Sequence, residues 1–168
     1  NRRAVVSLRE LLQDLGEQIS ILAEDKKIGF HMALDGEVAV LGDRERLHEL
    51  FTELLSNALK FTAPGGSIRL TLGKNGNEAV IAVADTGRGI SEEDLPHVFK
   101  RFFRAQFGAE GHNGNGLGLA IAKSLTELHG GGSDTVISSR TYILGAELEK
   151  LTLTGTGNTA GTGNTLNN

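Results

Sequence analysis

The sequence predicts an α/β domain, a two-layer α+β sandwich in which helices cover one face of a mixed, mostly antiparallel sheet. Two long runs with helical apolar spacing, several short strand-like stretches, and their order along the chain (αββαββ, a linker, then αββ) carry that prediction. At 168 residues the chain has room for a single core, and its length argues against a second domain.

Ser7 and Glu10 make an S-x-x-E capping box ahead of Leu8, Leu11, Leu12, Leu15, Ile19 and Leu22, whose spacing predicts a first amphipathic helix. Residues 28–34 and 38–41 read as two short strands on either side of Asp35-Gly36. Asp43 is placed to cap a second helix, in which Leu47, Leu50, Phe51, Leu54, Leu55, Ala58 and Leu59 share one face. Ile68, Leu70 and Leu72 alternate as in a half-buried strand, and Lys74-Asn75-Gly76-Asn77 supplies an Asn-Gly turn into an apolar run at 79–84. A short helix is expected over 92–99, followed by a mobile lid with Phe102, Phe103 and Phe107 among glycines 108, 111 and 114. A loop of this length in a compact domain is more often functional than idle. Phe99 suits a satellite core beneath it. Ala120, Ile121, Leu125 and Leu128 continue a helix opened by the glycines at 114–118 and stopped by those at 130–132. Residues 135–138 and 146–153 are expected to close the sheet. The domain is expected to span 1–153, because the Thr, Gly and Asn of 154–168 cannot bury apolar area and read as a disordered or appended tail.

Composition narrows the partners. The formal charge of −4 and a pI near 5.7, with basic residues few and scattered, give no reason to expect nucleic acid or an anionic membrane. With Cys 0 there are no disulfides and no thiolate metal sites, which fits a reducing compartment. No apolar stretch approaches the roughly 20 residues of a membrane helix, and no signal peptide opens the chain. A soluble, cytoplasmic piece is expected, from a parent protein that is free to be membrane-anchored.

The chemistry concentrates at three places. Asp85 ends the apolar run at 79–84, where an ionised carboxylate can accept hydrogen bonds from an exocyclic amine. Gly87 and Gly89 follow it in Asp85-Thr86-Gly87-Arg88-Gly89-Ile90, and their missing Cβ atoms let a flat ligand approach the backbone. Further on, Gly114-Asn115-Gly116-Leu117-Gly118-Leu119 opens a helix whose unpaired N–H groups suit an anion such as a triphosphate. Between them in function stands the second helix. Glu53, Asn57 and Lys60 fall at i, i+4 and i+7 and form a polar stripe beside its apolar face. The Asn57 carbonyl is a hard ligand able to complete the shell of a Mg²⁺ already carried by phosphate oxygens. Lys60 adds a point charge near those phosphates, and Glu53 is a candidate to orient or deprotonate a nucleophile.

Four stretches in fixed order, Asn57-Ala58-Leu59-Lys60-Phe61, Asp85-Thr86-Gly87-Arg88-Gly89, Val98-Phe99-Lys100-Arg101-Phe102-Phe103-Arg104 and Gly114-Asn115-Gly116-Leu117-Gly118-Leu119, resemble the N, G1, F and G2 boxes of sensor histidine kinases. The likeness runs over roughly residues 7–153. It implies the Bergerat fold of that family's catalytic and ATP-binding domain, shared with type II topoisomerases, Hsp90 chaperones and MutL in the GHKL superfamily. Carried over motif by motif, it implies that Asn57 binds Mg²⁺, that Lys60 and Arg104 contact phosphates, and that Asp85 pairs with the adenine amine. It further implies an ATP site that includes Phe61, Gly87, Gly89, Ile90, Gly114, Gly116, Leu117, Gly118 and Leu119, with ATP and Mg²⁺ as cofactors. The lid would close over ATP and present an aromatic ring, Phe102 or Phe103, to a partner.

That partner, by the same resemblance, is a dimerisation hairpin carrying a phosphoacceptor histidine, from which a response regulator takes the phosphoryl group. His31, His48, His97, His112 and His129 all lack the H-[ED]-x-[KR]-x-P-like surroundings of an acceptor, so the chain is expected to be an excised, monomeric domain that starts after the hairpin. A second reading stays open, because Glu53 four residues before Asn57 is also the arrangement a GHKL-type ATPase or an anti-sigma-factor serine kinase uses to activate a nucleophile. The after-Gly132 stretch Arg140-Thr141-Tyr142-Ile143-Leu144-Gly145-Ala146 keeps only Gly145 of the family's Gly-x-Gly turn, so an irregular last hairpin is expected.

Overall fold

Two capped helices packed on a five-stranded sheet form the frame of the molecule. The computed structural model describes residues 3–75, 78–89, 93–98, 100–101, 120, 135–138, 141–144, 151–153 and 161–165. In chain order the elements are β1 (Ala4–Ser7), α1 (Leu8–Asp25), β2 (Gly29–Leu34), β3 (Ala39–Gly42), α2 (Arg44–Phe61), β4 (Ser67–Asn75), β5 (Glu78–Asp85), a 3₁₀ turn (Leu95–His97), β6 (Thr135–Ser138), β7 (Thr141–Leu144), β8 (Leu151–Leu153) and β9 (Gly161–Thr165).

Both helices begin where their caps dictate. Ser7 accepts from the Glu10 N–H at 3.3 Å, and Asp43 accepts from the N–H groups of Glu45 and Arg46 at 3.1 and 3.3 Å, so donors that a helix start leaves unpaired are satisfied. α1 buries Leu8, Leu11, Leu12, Leu15, Gly16, Ile19 and Ala23, and α2 buries every apolar residue assigned to its inner face. These side chains share one core with Ile68, Leu70 and Leu72 of β4 and Ala79, Ile81 and Val83 of β5. Each fully buried Leu, Ile or Phe contributes about 1.5–3 kcal/mol, so this cluster is the main source of stability. α1 also rests on β2, where the Met32 thioether fills the space that a side chain at Gly16 would need. Among the described residues of β4, Arg69 on the opposite sheet face is exposed and Thr71 half-buried. The helices therefore cover one face, as predicted.

The main sheet runs β2-β4-β5-β7-β8. Only the β2–β4 pair is parallel; the rest is antiparallel, which gives the mixed, mostly antiparallel sheet expected. In the β4–β5 hairpin Asn75 faces Glu78, one step beyond the Lys74–Asn77 pairing that a turn centred on Asn75-Gly76 would give, so Asn75 belongs to the ladder.

The stretches around Asp35-Gly36 are strands, as expected; β2 pairs with β4, and β3 pairs antiparallel with β1 in a separate two-stranded ladder. Three expectations need correction. Residues 135–138 do form a strand, but it pairs with β9 rather than closing the main sheet; β7, which lacks a clear alternating pattern, pairs with β5 instead. Of the helix expected over 92–99, the described part is the 3₁₀ turn at Leu95–His97, with Pro96 inside it. Within the expected tail, Gly161–Thr165 is a strand, because ladder hydrogen bonds come from the backbone and need no apolar side chains. The lid phenylalanines 102, 103 and 107 and the helix expected beyond Ala120 lie outside the described residues; Ala120 itself is helical and buried.

Candidate functional site

The site grows from the meeting of two chain ends, the last turn of α2 and the turn that leaves β5. Strand pairing carries β5 to Asp85, which faces Ile68, and the ladder continues one step further through Thr86. The Thr86 N–H donates to the Ser67 carbonyl at 3.0 Å, while its hydroxyl accepts from the Ser67 N–H at 2.9 Å. Gly66 is pressed into this junction, since a Cβ there would come within 2.7 Å of the Thr86 hydroxyl.

Asp85 then makes an Asx turn: its Oδ1 accepts from the Gly87 N–H at 2.8 Å, which sets the orientation of a half-buried carboxylate. At Gly87 the backbone passes directly over the C-terminus of α2. A Cβ on residue 87 would lie 2.5 Å from the Phe61 carbonyl oxygen and 2.6 Å from Asp85 Oδ1, so only glycine fits. The Arg88 N–H donates to the same Phe61 carbonyl at 3.4 Å, and Gly89 follows with φ +75°. One of the carbonyls a helix leaves unpaired at its end thereby holds the turn.

On α2 the predicted stripe is real. Glu53, Asn57, Lys60 and Phe61 are all half-buried along one flank of the helix, between its core face and solvent. The Lys60 ammonium nitrogen lies 5.1 Å from the centroid of the Phe61 ring, and the Arg88 guanidinium carbon lies 4.7 Å from it. The carboxylate that can read an amine, the ring, two cations and the Asn57 flank thus border one junction.

Residues 42–162 match the family described as "Histidine kinase-, DNA gyrase B-, and HSP90-like ATPase". The chain belongs to this family. The match runs past the boundary expected at residue 153. Among relatives, the chain is 33% identical to the signal transduction histidine-protein kinase BaeS of Escherichia coli, over 77% of this chain and 28% of that protein. It therefore spans a little over a quarter of the length of the curated relative it matches. The catalytic domain of the histidine kinase ThkA has the same fold, with a TM-score of 0.75 at 23% identity, over 87% of this chain and 97% of that one. Full-length ShkA, solved in complex with AMPPNP, gives a TM-score of 0.72 at 26% identity, over 93% of this chain and 32% of that one. The architecture is the Bergerat fold, and ATP is the nucleotide that domains of this ATPase family bind.

Within that family frame, the structure brings together Phe61, Asp85, Gly87 and Gly89 at the junction, with Lys60 beside Phe61 and with Asn57 and Glu53 on the same flank of α2. Ile90, Arg104, Gly114, Gly116, Leu117, Gly118 and Leu119 lie outside the described residues. Among the described residues no group of three or more His, Cys, Asp or Glu side chains could hold a metal ion. No helix among them is long and apolar enough to cross a membrane. Arg88 and Thr86 also contact this junction, although spacing alone did not single them out. Their only sequence signal is position, between the carboxylate and the glycines of the motif.

Proposed function

We propose that this domain binds Mg·ATP and passes its γ-phosphoryl group to a histidine on a separate helical hairpin of the parent protein, from which a response regulator takes it in two-component signalling. The observation that carries this reading is the junction itself. It sets an oriented Asp85 carboxylate against the end of the helix whose half-buried flank holds Asn57 and Lys60. Asp85 accepts from the adenine amine, the Gly87 backbone lies flat against the base, and Lys60 offsets phosphate charge. Asn57 holds the Mg²⁺, which supplies charge neutralisation at the phosphates when bound. In the transfer, a bond forms from an imidazole nitrogen to the γ-phosphorus, and the bond to the bridging oxygen breaks. ADP leaves with the electron pair, and the ring proton passes to a base, for which Glu53 is the candidate. Catalysis of this kind is mostly positioning and electrostatics, which a preformed junction provides.

The test is calorimetric titration with a non-hydrolysable ATP analogue, with and without Mg²⁺. Asp85→Asn is expected to weaken binding at least about tenfold, the loss of one charge-assisted hydrogen bond. Asn57→Ala is expected to abolish the Mg²⁺ dependence and to lower phosphoryl transfer to a supplied hairpin by about a hundredfold or more. Wild-type protein that fails to bind the analogue would overturn the reading. One observation favours hydrolysis as an alternative outcome: Glu53 is half-buried one turn before Asn57 on the same flank. ATP turnover without any hairpin, lost in Glu53→Gln, would move the assignment to an ATPase or a serine kinase.

A further inference from the structure

Nothing in the residue pattern gives Arg88 a task, yet in the fold both its backbone and its side chain end on one residue. Its N–H donates to the Phe61 carbonyl at 3.4 Å, a long and therefore weak hydrogen bond. Its guanidinium carbon sits 4.7 Å from the centroid of the Phe61 ring, within range of a cation–π contact. Gly87, immediately before it, approaches the same carbonyl so closely that no side chain fits between.

The two walls of the site belong to elements joined only through a long stretch of chain. Asp85 leaves β5, whereas Asn57 and Lys60 ride on α2, and the hydrogen bond at 3.4 Å is the one backbone link described between the turn and that helix. We infer that Arg88 is a positioning residue for the nucleotide site: lying over Phe61, it fastens the Asp85 turn to the end of α2, so that the amine-reading carboxylate and the Asn57–Lys60 flank keep one separation. Lys60, 5.1 Å from the same ring centroid, shares this aromatic anchor. The inference rests on the ATP reading above.

Two measurements on the same protein test it. The first is analogue affinity for wild type, Arg88→Met, Arg88→Lys, Phe61→Leu and the Arg88→Met/Phe61→Leu double variant. Met keeps the unbranched stem and drops the charge; Lys keeps the charge. The second is amide hydrogen exchange at residues 86–88 without ligand, alongside thermal melting. Arg88→Met is expected to weaken binding about two- to fivefold, the fold-change that an exposed cation–π contact supplies. Arg88→Lys should recover most of that loss, and the double variant should bind no more weakly than Phe61→Leu alone. Exchange should quicken in Arg88→Met while the melting temperature stays put. Unchanged affinity and exchange in Arg88→Met would overturn the inference. So would losses that add in the double variant, because Arg88 would then act on the nucleotide directly and not through Phe61. If wild type does not bind the analogue, the ATP reading fails; the ligand-free exchange still decides whether the clasp exists.

Discussion

α1 and α2 are both 18 residues long, both start on a side-chain cap and both bury an apolar face, yet their other surfaces differ in kind. Along α1 nearly every residue is either buried or exposed, with only Arg9 in between. Along α2, Thr52, Glu53, Asn57, Lys60 and Phe61 are half-buried, and the last four share a flank. A helix whose sole task is to cover a sheet sorts its residues into two classes. A polar stripe kept partly out of water signals a groove. The C-terminal ends differ in the same way. α1 closes on itself, with Lys26, Lys27 and Ile28 donating to the carbonyls of Leu22, Glu24 and Ala23. α2 spends its last carbonyls on other parts of the molecule: Leu59 accepts from the Lys26 ammonium at 3.4 Å, and Phe61 from Arg88.

The contrast can be broken from either side. In α1, Leu12 is 0% exposed, and Leu12→Ala is expected to cost about 2–5 kcal/mol in urea unfolding while the folded fraction keeps wild-type affinity for the ATP analogue. A large loss of affinity in that folded fraction would mean that α1 also shapes the site. Next in size is Gly87→Ala, which forces a Cβ against the Phe61 carbonyl and pushes the turn off α2. Overpacking of this sort costs about 1–3 kcal/mol, so chemical unfolding should shift by that much or less, below the Leu12→Ala loss, while analogue affinity falls because the displaced turn no longer holds the Asp85 carboxylate in place. The smallest effect is a gain. Lys27 closes α1 with φ 58°, in the left-handed region. Lys27→Gly should raise stability by about 0.5–1 kcal/mol, the left-handed penalty less the added chain entropy of glycine, and leave ATP-analogue binding unchanged.

Much of this was legible before folding. Ser7 and Asp43 announced the helix starts, the apolar spacing announced which faces are buried, and the apolar run at 79–84 announced the strand that ends at Asp85. Strand partners were not legible. The strands on either side of Asp35-Gly36 were expected, but that β2 joins β4 in parallel and β3 joins β1 depends on contacts distant in sequence that no local signal encodes. Nor was the contact of Arg88 with Phe61, since a cation–π contact between residues 61 and 88 has no period or spacing to betray it.

By itself, then, the sequence determined what local physics governs: helix caps, amphipathic faces and the strand that ends at Asp85. Only the tertiary structure decided which strands neighbour one another and that the end of α2 lies under the turn after β5. The reason is physical. Capping and periodicity act over one or two turns of chain, whereas the fit of Gly87 against the Phe61 carbonyl exists only once a packed core has brought two distant segments to the same point.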